Sequence, residues 1–173
     1  RGVTTEYLAS EYAVPVFLVE SNRRNYGLAR ARLRRVRNVR LFHGHSVAIL
    51  RHFLTHEVFP AGTGFFYVDA HSDRHLPLRD EVTLIFEKRP FSIVMIDDFA
   101  VPGDPGYGFD DYGLTGALNK DYLADILVRF KLSLFFPSCS SNQETGKRRG
   151  AAVLANAILA TQLRGLAQLW ECR

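Results

Sequence analysis

Two runs of mostly apolar residues that end in carboxylates stand out in the hydrophobic pattern of this chain. Residues 91–99, FSIVMIDDF, proceed without polar alternation up to Asp97 and Asp98, and residues 64–69, GFFYVD, end in Asp69 in the same way. Strands that are buried on both faces of a parallel sheet show this pattern, and ligands bind where such strands end. We therefore predict two parallel strands that bring acids to one edge of a sheet.

The remaining pattern alternates between strand and helix. Further strands are predicted at residues 14–20, 39–42, 132–136 and 151–155. Apolar residues at three- and four-residue spacing predict helices at residues 4–9, 26–36, 47–58, 78–86 and 118–130, and a last helix after residue 155. This order predicts an α/β fold with a Rossmann-like, doubly wound and mostly parallel sheet, in a single domain that spans residues 1–173.

Polar residues mark where several of these elements begin. A hydroxyl of Thr4 or Thr5 can cap the first helix, and Ser21 or Asn22 can cap the second. Because a helix that opens at a ligand-binding turn normally follows a strand, we expect the chain to lack a central first strand. Residues 101–116, which are rich in Gly, Pro, Asp and Tyr, form a connection of unusual length and are predicted to be a lid or binding loop.

Composition excludes several classes of protein. No apolar stretch approaches the roughly 20 residues that cross a bilayer, so no membrane partner is expected. The two cysteines, Cys139 and Cys172, fit neither a disulfide framework nor a zinc site. We therefore expect free thiols and a cytoplasmic location, and leave open whether the chain forms a homo-oligomer.

The basic character of the chain comes mainly from arginine. The net charge is +4, and eight of the eighteen arginines lie between Arg23 and Arg40. Tyr26, Ala29 and Leu33 recur at helical spacing through this segment, which places the arginines on the outer face of an amphipathic helix. We expect a solvated face rather than a nucleic-acid partner, because no interleaved aromatic residues or known binding motif accompany the cluster. Contact with phosphates is the alternative.

The three aspartates at the predicted strand ends suggest a metal centre. Adjacent strands lie roughly 4.8 Å apart, so Asp69, Asp97 and Asp98 can converge as three hard oxygen ligands. Such a set suits Mg²⁺ or a similar divalent cation. In the alternative interpretation, one aspartate caps a helix or pairs with an arginine while the others face water.

Taken in order, these segments resemble the class I S-adenosylmethionine-dependent methyltransferases, especially metal-dependent O-methyltransferases of the catechol and macrolide-sugar types. RGVTTEYLA is similar to the end of the glycine-rich first motif and its helix, FLVES to the acid after the second strand, and LFHGHS to the third-strand region. YVDAH and MIDDF resemble the ends of the fourth and fifth strands. The resemblance covers nearly the whole chain and implies S-adenosylmethionine as methyl donor.

The resemblance also implies roles for individual residues. Glu20 would accept hydrogen bonds from the ribose hydroxyls, although it is also the kind of acid that often stands before a helix. The family more often has aspartate where His45 stands. The residues implied in cofactor binding are Gly2, Thr4, Thr5, Glu20, Ser21, His45, Ser46 and Asp69, and those implied in metal binding are Asp69, Asp97 and Asp98.

The implied reaction is direct methyl transfer to a hydroxyl of a small molecule such as a sugar or secondary metabolite. No protein nucleophile is needed, so the protein must position the substrate and remove its proton. A divalent cation such as Mg²⁺ would lower the pKa of the hydroxyl. His71 is the candidate base, with His75 as the weaker one, and either can instead be an ordinary loop histidine.

Two other functions remain open. HGHS and DAHSD resemble metal-binding segments of arginase-type ureohydrolases, but the later Asp-x-Asp segment of that family is not evident. The chain can also be a non-catalytic, methyltransferase-like binding module, because it carries no complete glycine-rich motif. Affinity for S-adenosylmethionine distinguishes such a module from the enzyme.

Overall fold

The computed structural model describes residues 2–56, 58–69, 76–113 and 116–172. These residues belong to an N-terminal unit, residues 1–58, and a C-terminal unit, residues 59–173. Each unit contains its own sheet. That both form one domain stays a prediction, and the units are described separately below.

The N-terminal unit is a two-stranded parallel sheet with helices. Its elements are α1 Val3–Glu11, β1 Val16–Glu20, α2 Arg23–Leu33, β2 Val39–His43 and α3 Ser46–Thr55. Val16 lies opposite Val39 and Glu20 opposite His43, so both strands end at the same edge. The alternation of strand and helix in this part of the chain is therefore confirmed.

The two predicted helix caps have different outcomes. Asn22 caps α2 as expected, because its side-chain oxygen accepts hydrogen bonds from the backbone N–H groups of Arg24 at 2.9 Å and Asn25 at 3.1 Å. The cap predicted from Thr4 or Thr5 is wrong. Gly2 is the N-cap of α1 and makes no side-chain cap hydrogen bond, so both threonines already lie inside the helix.

The C-terminal unit contains a five-stranded sheet. Its elements are β3 Gly64–Val68, α4 Leu78–Lys88, β4 Ser92–Asp97, α5 Ala124–Phe130, β5 Leu132–Pro137, β6 Ala151–Asn156, α6 Ala157–Leu163 and β7 Leu169–Cys172. Short 3₁₀ helices cover Asp121–Leu123 and Ser141–Gln143. The strand order is β3-β4-β6-β5-β7. The predicted α/β class is confirmed, and β7 is a strand that the pattern did not predict.

The prediction of a mostly parallel sheet needs correction in this unit. β3 and β4 are parallel, but β4–β6, β5–β6 and β5–β7 are antiparallel. A parallel connection needs a crossover, usually an α-helix. The segment between β5 and β6 holds only a three-residue 3₁₀ helix, and β6 returns in the opposite direction.

Apolar side chains of the central strands form the core of the C-terminal unit. β4 buries Val94 and Ile96 completely, and its neighbour β6 buries Ala152 and Leu154 completely. Burial of apolar area of this kind stabilises a fold by about 25 cal/mol per Å². The two strands that carry the core therefore also fix the end of β4, where Asp97 lies.

The described helices are short. α2 and α4 have 11 residues each, which corresponds to a length of about 16 Å. Among the described residues, no helix is both long enough and apolar enough to cross a membrane.

Backbone hydrogen bonds tie the end of β4 to the start of β6. The N–H of Phe99 donates to the carbonyl of Gly150 at 2.9 Å, and the N–H of Gly150 donates to the carbonyl of Gly108 at 2.8 Å. A Cβ atom on residue 150 would lie 2.1 Å from the Phe99 carbonyl oxygen. This close approach requires glycine at position 150.

Replacement of Gly150 by alanine is expected to destabilise the C-terminal unit. The new methyl group would overlap a backbone oxygen, and overpacking of this kind costs about 1–3 kcal/mol. Gly146 of the same loop is a matched control, because a Cβ there meets no atom within 4 Å. Urea unfolding should show a lower midpoint for Gly150→Ala and an unchanged midpoint for Gly146→Ala. Equal midpoints for the two variants would contradict the close contact.

Candidate active site

Three aspartates meet where the parallel strands β3 and β4 end. Val68 lies opposite Ile96, so the next residues, Asp69 and Asp97, follow at the same edge, and Asp98 comes directly after β4. One carboxylate oxygen from each aspartate lies within 4.8 Å of the other two. The pairing of β3 and β4 thus brings the acids together.

The backbone at Asp98 turns sharply out of the strand. Its φ of 54° lies in the left-handed region, which non-glycine residues adopt rarely and often at functional sites. The Asp98 N–H donates to Oδ1 of Asp97 at 3.0 Å. This turn places two consecutive carboxylates beside the end of one strand.

Tyr67 supports Asp97 from the neighbouring strand. Its hydroxyl donates to Oδ2 of Asp97 at 2.5 Å. Burial, the hydrogen bond to Asp97 and the nearby aspartate charges all raise the pKa of Tyr67 well above its usual value. Tyr67 is therefore a protonated donor at neutral pH. Side chains two positions apart share a face of a strand. The pattern Tyr67-x-Asp69 therefore indicates that Tyr67 lies on the same face as Asp69, close to the carboxylates.

Arg149 is the cationic centre of the site. Its Nε donates to Oδ1 of Asp98, and a terminal nitrogen donates to Oδ1 of Asp110. The hydrogen bond to Asp98 is the largest cause that raises the pKa of Arg149 further above its usual value. The Tyr112 hydroxyl donates to the second oxygen of Asp110 at 2.5 Å. The sequence alternative that an arginine pairs with one of the aspartates is therefore realised at Asp98.

A polar cavity of about 530 Å³ opens at these side chains and is lined by Asp69, Asp97, Asp98, Lys147 and Arg149. With Asp110, which Arg149 also binds, the group contains four carboxylates and two cationic side chains. Two formal negative charges therefore remain uncompensated within these six residues. The cavity is large enough for a small polar molecule.

The three carboxylates fit a divalent cation. Oxygen is the ligand that Mg²⁺ prefers, and Mg²⁺ binds through one or two carboxylates while it keeps several waters. The hydrogen bonds to Asp97 and Asp98 leave further lone pairs, because each ionised carboxylate accepts at about four positions. The surplus of negative charge matches a divalent ion, and the pairing of Asp98 with Arg149 competes with it.

Residues 101–113, the described first part of the predicted loop 101–116, contact the segment between β5 and β6. Asp104 accepts hydrogen bonds from the N–H and the hydroxyl of Ser141, both at 2.7 Å. The Tyr107 hydroxyl is buried, and burial raises the pKa of Tyr107 to about 12. These two residues fix the loop, whereas Asp110 and Tyr112 connect it to Arg149.

The predicted cofactor residues at the ends of β1 and β2 form a second group, in the N-terminal unit. Glu20 ends β1, and its Oε1 accepts from the Asn22 N–H at 2.8 Å. Nε2 of His43 lies 3.2 Å from the Ser21 carbonyl, and the Gly44 N–H donates to the Glu20 carbonyl at 3.1 Å. His45 is the N-cap of α3 and Ser46 its first residue, so the structure brings Glu20, Ser21, His45 and Ser46 to one edge.

Gly2 has a structural role of its own in the N-terminal unit. Its φ is 79°, and a Cβ there would lie 3.3 Å from side-chain atoms of Ala29 and Leu33. Glycine is thus required where α1 approaches the second half of α2. Thr5 is buried and Thr4 exposed within α1. Whether these three residues contact a cofactor stays a prediction.

The two candidate bases, His71 and His75, lie outside the described residues. Sequence reasoning missed Lys147 and Arg149 as site residues. They belong to a loop without hydrophobic periodicity, and their contact with Asp98 depends on how β6 returns beside β4.

Comparisons with known proteins show only a likeness of fold. No family model and no curated protein matches the chain. Protein LPL1258 from Legionella pneumophila, of the family DUF519, is 11% identical with a TM-score of 0.53, and the match covers 98% of this chain and 64% of that one. SMU.1697c from Streptococcus mutans, a candidate methyltransferase solved with S-adenosylhomocysteine, is 13% identical over 88% of this chain and 81% of that one, with a TM-score of 0.45. The chain thus shares an α/β fold with the Legionella protein and spans less than two thirds of its length.

Proposed function

We propose that this chain is an S-adenosylmethionine-dependent methyltransferase that acts on a hydroxyl group of a small polyhydroxylated molecule with the help of a divalent cation. The observation that carries the proposal is the convergence of three carboxylates, at the ends of the parallel strands β3 and β4, on a polar cavity of about 530 Å³. The order of sequence motifs, from RGVTTEYLA to MIDDF, supports the choice of methyl donor.

Glu20 is proposed to hold the ribose of the methyl donor. An acid at the end of a strand in this type of fold can accept hydrogen bonds from both hydroxyls of a ribose. Oε1 of Glu20 accepts a hydrogen bond from the Asn22 N–H, and the turn at residues 43–46 lies beside Glu20. Ser21, His45 and Ser46 are proposed to complete the nucleoside site, and Gly2, Thr4 and Thr5 the methionine site.

Asp69, Asp97 and Asp98 are proposed to hold Mg²⁺ or a similar cation. Such an ion, when bound, orients a substrate hydroxyl and lowers its pKa. Tyr67 keeps the Asp97 carboxylate in place through its hydrogen bond, and Arg149 does the same for Asp98. These contacts restrict the two carboxylates before any ligand arrives, which reduces the entropy cost of binding.

The proposed transfer needs correct placement and the loss of one proton. The substrate oxygen forms a bond to the methyl carbon while the carbon–sulfur bond of the sulfonium breaks, and the neutral thioether leaves. The hydroxyl proton goes to His71 as the proposed base. Lys147 and Arg149 in the cavity wall are suited to bind further oxygens of the substrate.

The cysteines support a reducing compartment. Cys139 is exposed and Cys172 partly buried, and neither forms a disulfide. We therefore propose that the protein works in the cytoplasm, and we leave open whether it forms a homo-oligomer.

Removal of the Glu20 charge is expected to weaken binding of S-adenosylhomocysteine. Hydrogen bonds to charged groups are worth about 1.5–3 kcal/mol, so Glu20→Gln should raise the dissociation constant about 10- to 100-fold. Isothermal calorimetry on the full chain measures this change. Glu11→Gln, an exposed acid of α1, is the control and should leave binding unchanged. A chain that binds no S-adenosylhomocysteine would instead support the non-catalytic binding module.

Loss of the Asp97 charge is expected to weaken metal binding. Asp97→Asn removes one of three carboxylate ligands, and a comparable loss of a charged contact lowers affinity about 10- to 100-fold. Mn²⁺ is the probe, because its binding can be followed directly by electron paramagnetic resonance. Asp121→Asn changes an exposed aspartate outside the cavity and should leave the Mn²⁺ affinity unchanged. If both variants bind Mn²⁺ as tightly as the wild type, the assignment of the metal site to these aspartates is wrong. Binding of S-adenosylhomocysteine would not alter that conclusion.

A further inference from the structure

Positive charge is concentrated in the N-terminal unit to an unusual degree. Residues 1–58 contain ten arginines, no lysine and four acids, whereas residues 59–173 contain twelve basic and fourteen acidic residues. No acid occurs from Ser21 to His56, a stretch that contains nine arginines. A surface that serves only for solubility normally carries charges of both signs.

The structure shows that these arginines are exposed and mostly not ion-paired. All eight arginines from Arg23 to Arg40 are exposed. Within the described ranges, only Arg32 among these eight forms an ion pair, with Glu6 at 2.9 Å. Arg40 lies over the ring of Phe17. Among the described residues, no acidic side chain forms an ion pair with the remaining six, which face solvent.

Three of these arginines form a stripe along α2. Arg23, Arg30 and Arg34 are separated by seven and four residues, which is the spacing of one helix face. Gly27, at the intervening position, has no side chain to interrupt the stripe, and space beside it is open. The stripe extends about 16 Å, at a rise of about 1.5 Å per residue.

The charges at the start of α2 also oppose the helix dipole. The first turn contains Arg23 and Arg24 and no acid. Acids stabilise this end of a helix by about 0.3–1 kcal/mol, and cations are disfavoured there. A bound anion beside these arginines would reverse this unfavourable electrostatic interaction.

We propose that the arginine stripe of α2 binds the phosphate backbone of a nucleic acid. The guanidinium group is planar and presents paired donors that fit phosphate oxygens, and this unit uses arginine to the exclusion of lysine. A nucleic-acid duplex carries a phosphate about every 3.4 Å along each strand, so several phosphates fall within the length of the stripe. The proposal replaces the expectation of a merely solvated face, and it is independent of the proposed methyl transfer.

A membrane surface fits the same helix less well. Helices that lie on membranes insert an apolar face among the lipids. In α2, Ala29 and Leu33 are buried inside the N-terminal unit, and Leu28 is the one large aliphatic side chain that is exposed. A single leucine does not form the apolar face that such insertion needs. A nucleic-acid backbone needs only the exposed charges, and it is therefore the partner that α2 favours.

Binding of labelled oligonucleotides at several salt concentrations tests the proposal. Fluorescence anisotropy on the full chain should show binding to single-stranded RNA, duplex DNA or both. The affinity should fall as the salt concentration rises from about 50 to 200 mM. The triple variant Arg23→Gln, Arg30→Gln, Arg34→Gln should lower the slope of log affinity against log salt by about 2 to 3, or about 0.7–0.9 per lost phosphate contact. Glutamine is a good helix former, and circular dichroism checks that α2 persists.

A second triple variant removes the same charge elsewhere. Lys88→Gln, Lys131→Gln and Arg148→Gln alter exposed cations of the C-terminal unit and should leave the slope unchanged. The nucleic acid that binds with the lower dissociation constant is the preferred ligand. Equal slopes for the two triple variants, no binding to either nucleic acid, or binding only to phosphatidylserine vesicles would overturn the proposal.

Discussion

The parallel pairing of β3 with β4 is the constraint on which the site depends. The register of the two strands places Val68 opposite Ile96, so the residues that follow, Asp69 and Asp97, lie at the same edge of the sheet. The left-handed backbone at Asp98 adds a third carboxylate there. Three like charges at this spacing repel one another. Arg149 and Tyr67 offset that repulsion with hydrogen bonds to Asp98 and Asp97. The arrangement therefore combines a ready set of oxygen ligands with a protein cation that partly neutralises them.

The antiparallel return of β6 connects this edge to the rest of the C-terminal unit. β6 runs beside β4 and begins directly after Arg149 and Gly150, so the loop that precedes it lies at the carboxylates. The hydrogen bond from the Phe99 N–H to the Gly150 carbonyl holds the loop in place, and Asp110 binds Arg149 from the folded segment after β4. A mostly parallel sheet would carry the start of that strand to the opposite edge. The correction in topology is thus also the reason that Arg149 belongs to the site.

Local patterns in the sequence were sufficient for some features and not for others. The strands that end at Glu20 and Asp97 were predicted because continuous apolar runs and a terminal acid are local signals. The predicted helix from residue 118 begins later, because Asn119 accepts a hydrogen bond from the Tyr122 N–H and the chain there first forms a 3₁₀ turn. The pairing of Arg149 with Asp98 joins residues 51 positions apart, and no periodic pattern in the sequence indicates it. Contacts of that kind depend on tertiary packing, which local patterns do not encode.

The central claim is that the three aspartates hold a divalent cation in a methyltransferase. The most direct measurement is the anomalous scattering of Mn²⁺ in crystals of the full chain grown with S-adenosylhomocysteine. The account predicts one strong peak about 2.2 Å from oxygens of Asp69, Asp97 and Asp98, with the nucleoside bound beside Glu20. Crystals that contain S-adenosylhomocysteine but no Mn²⁺ peak at these carboxylates, with Arg149 still bonded to Asp98, would contradict it.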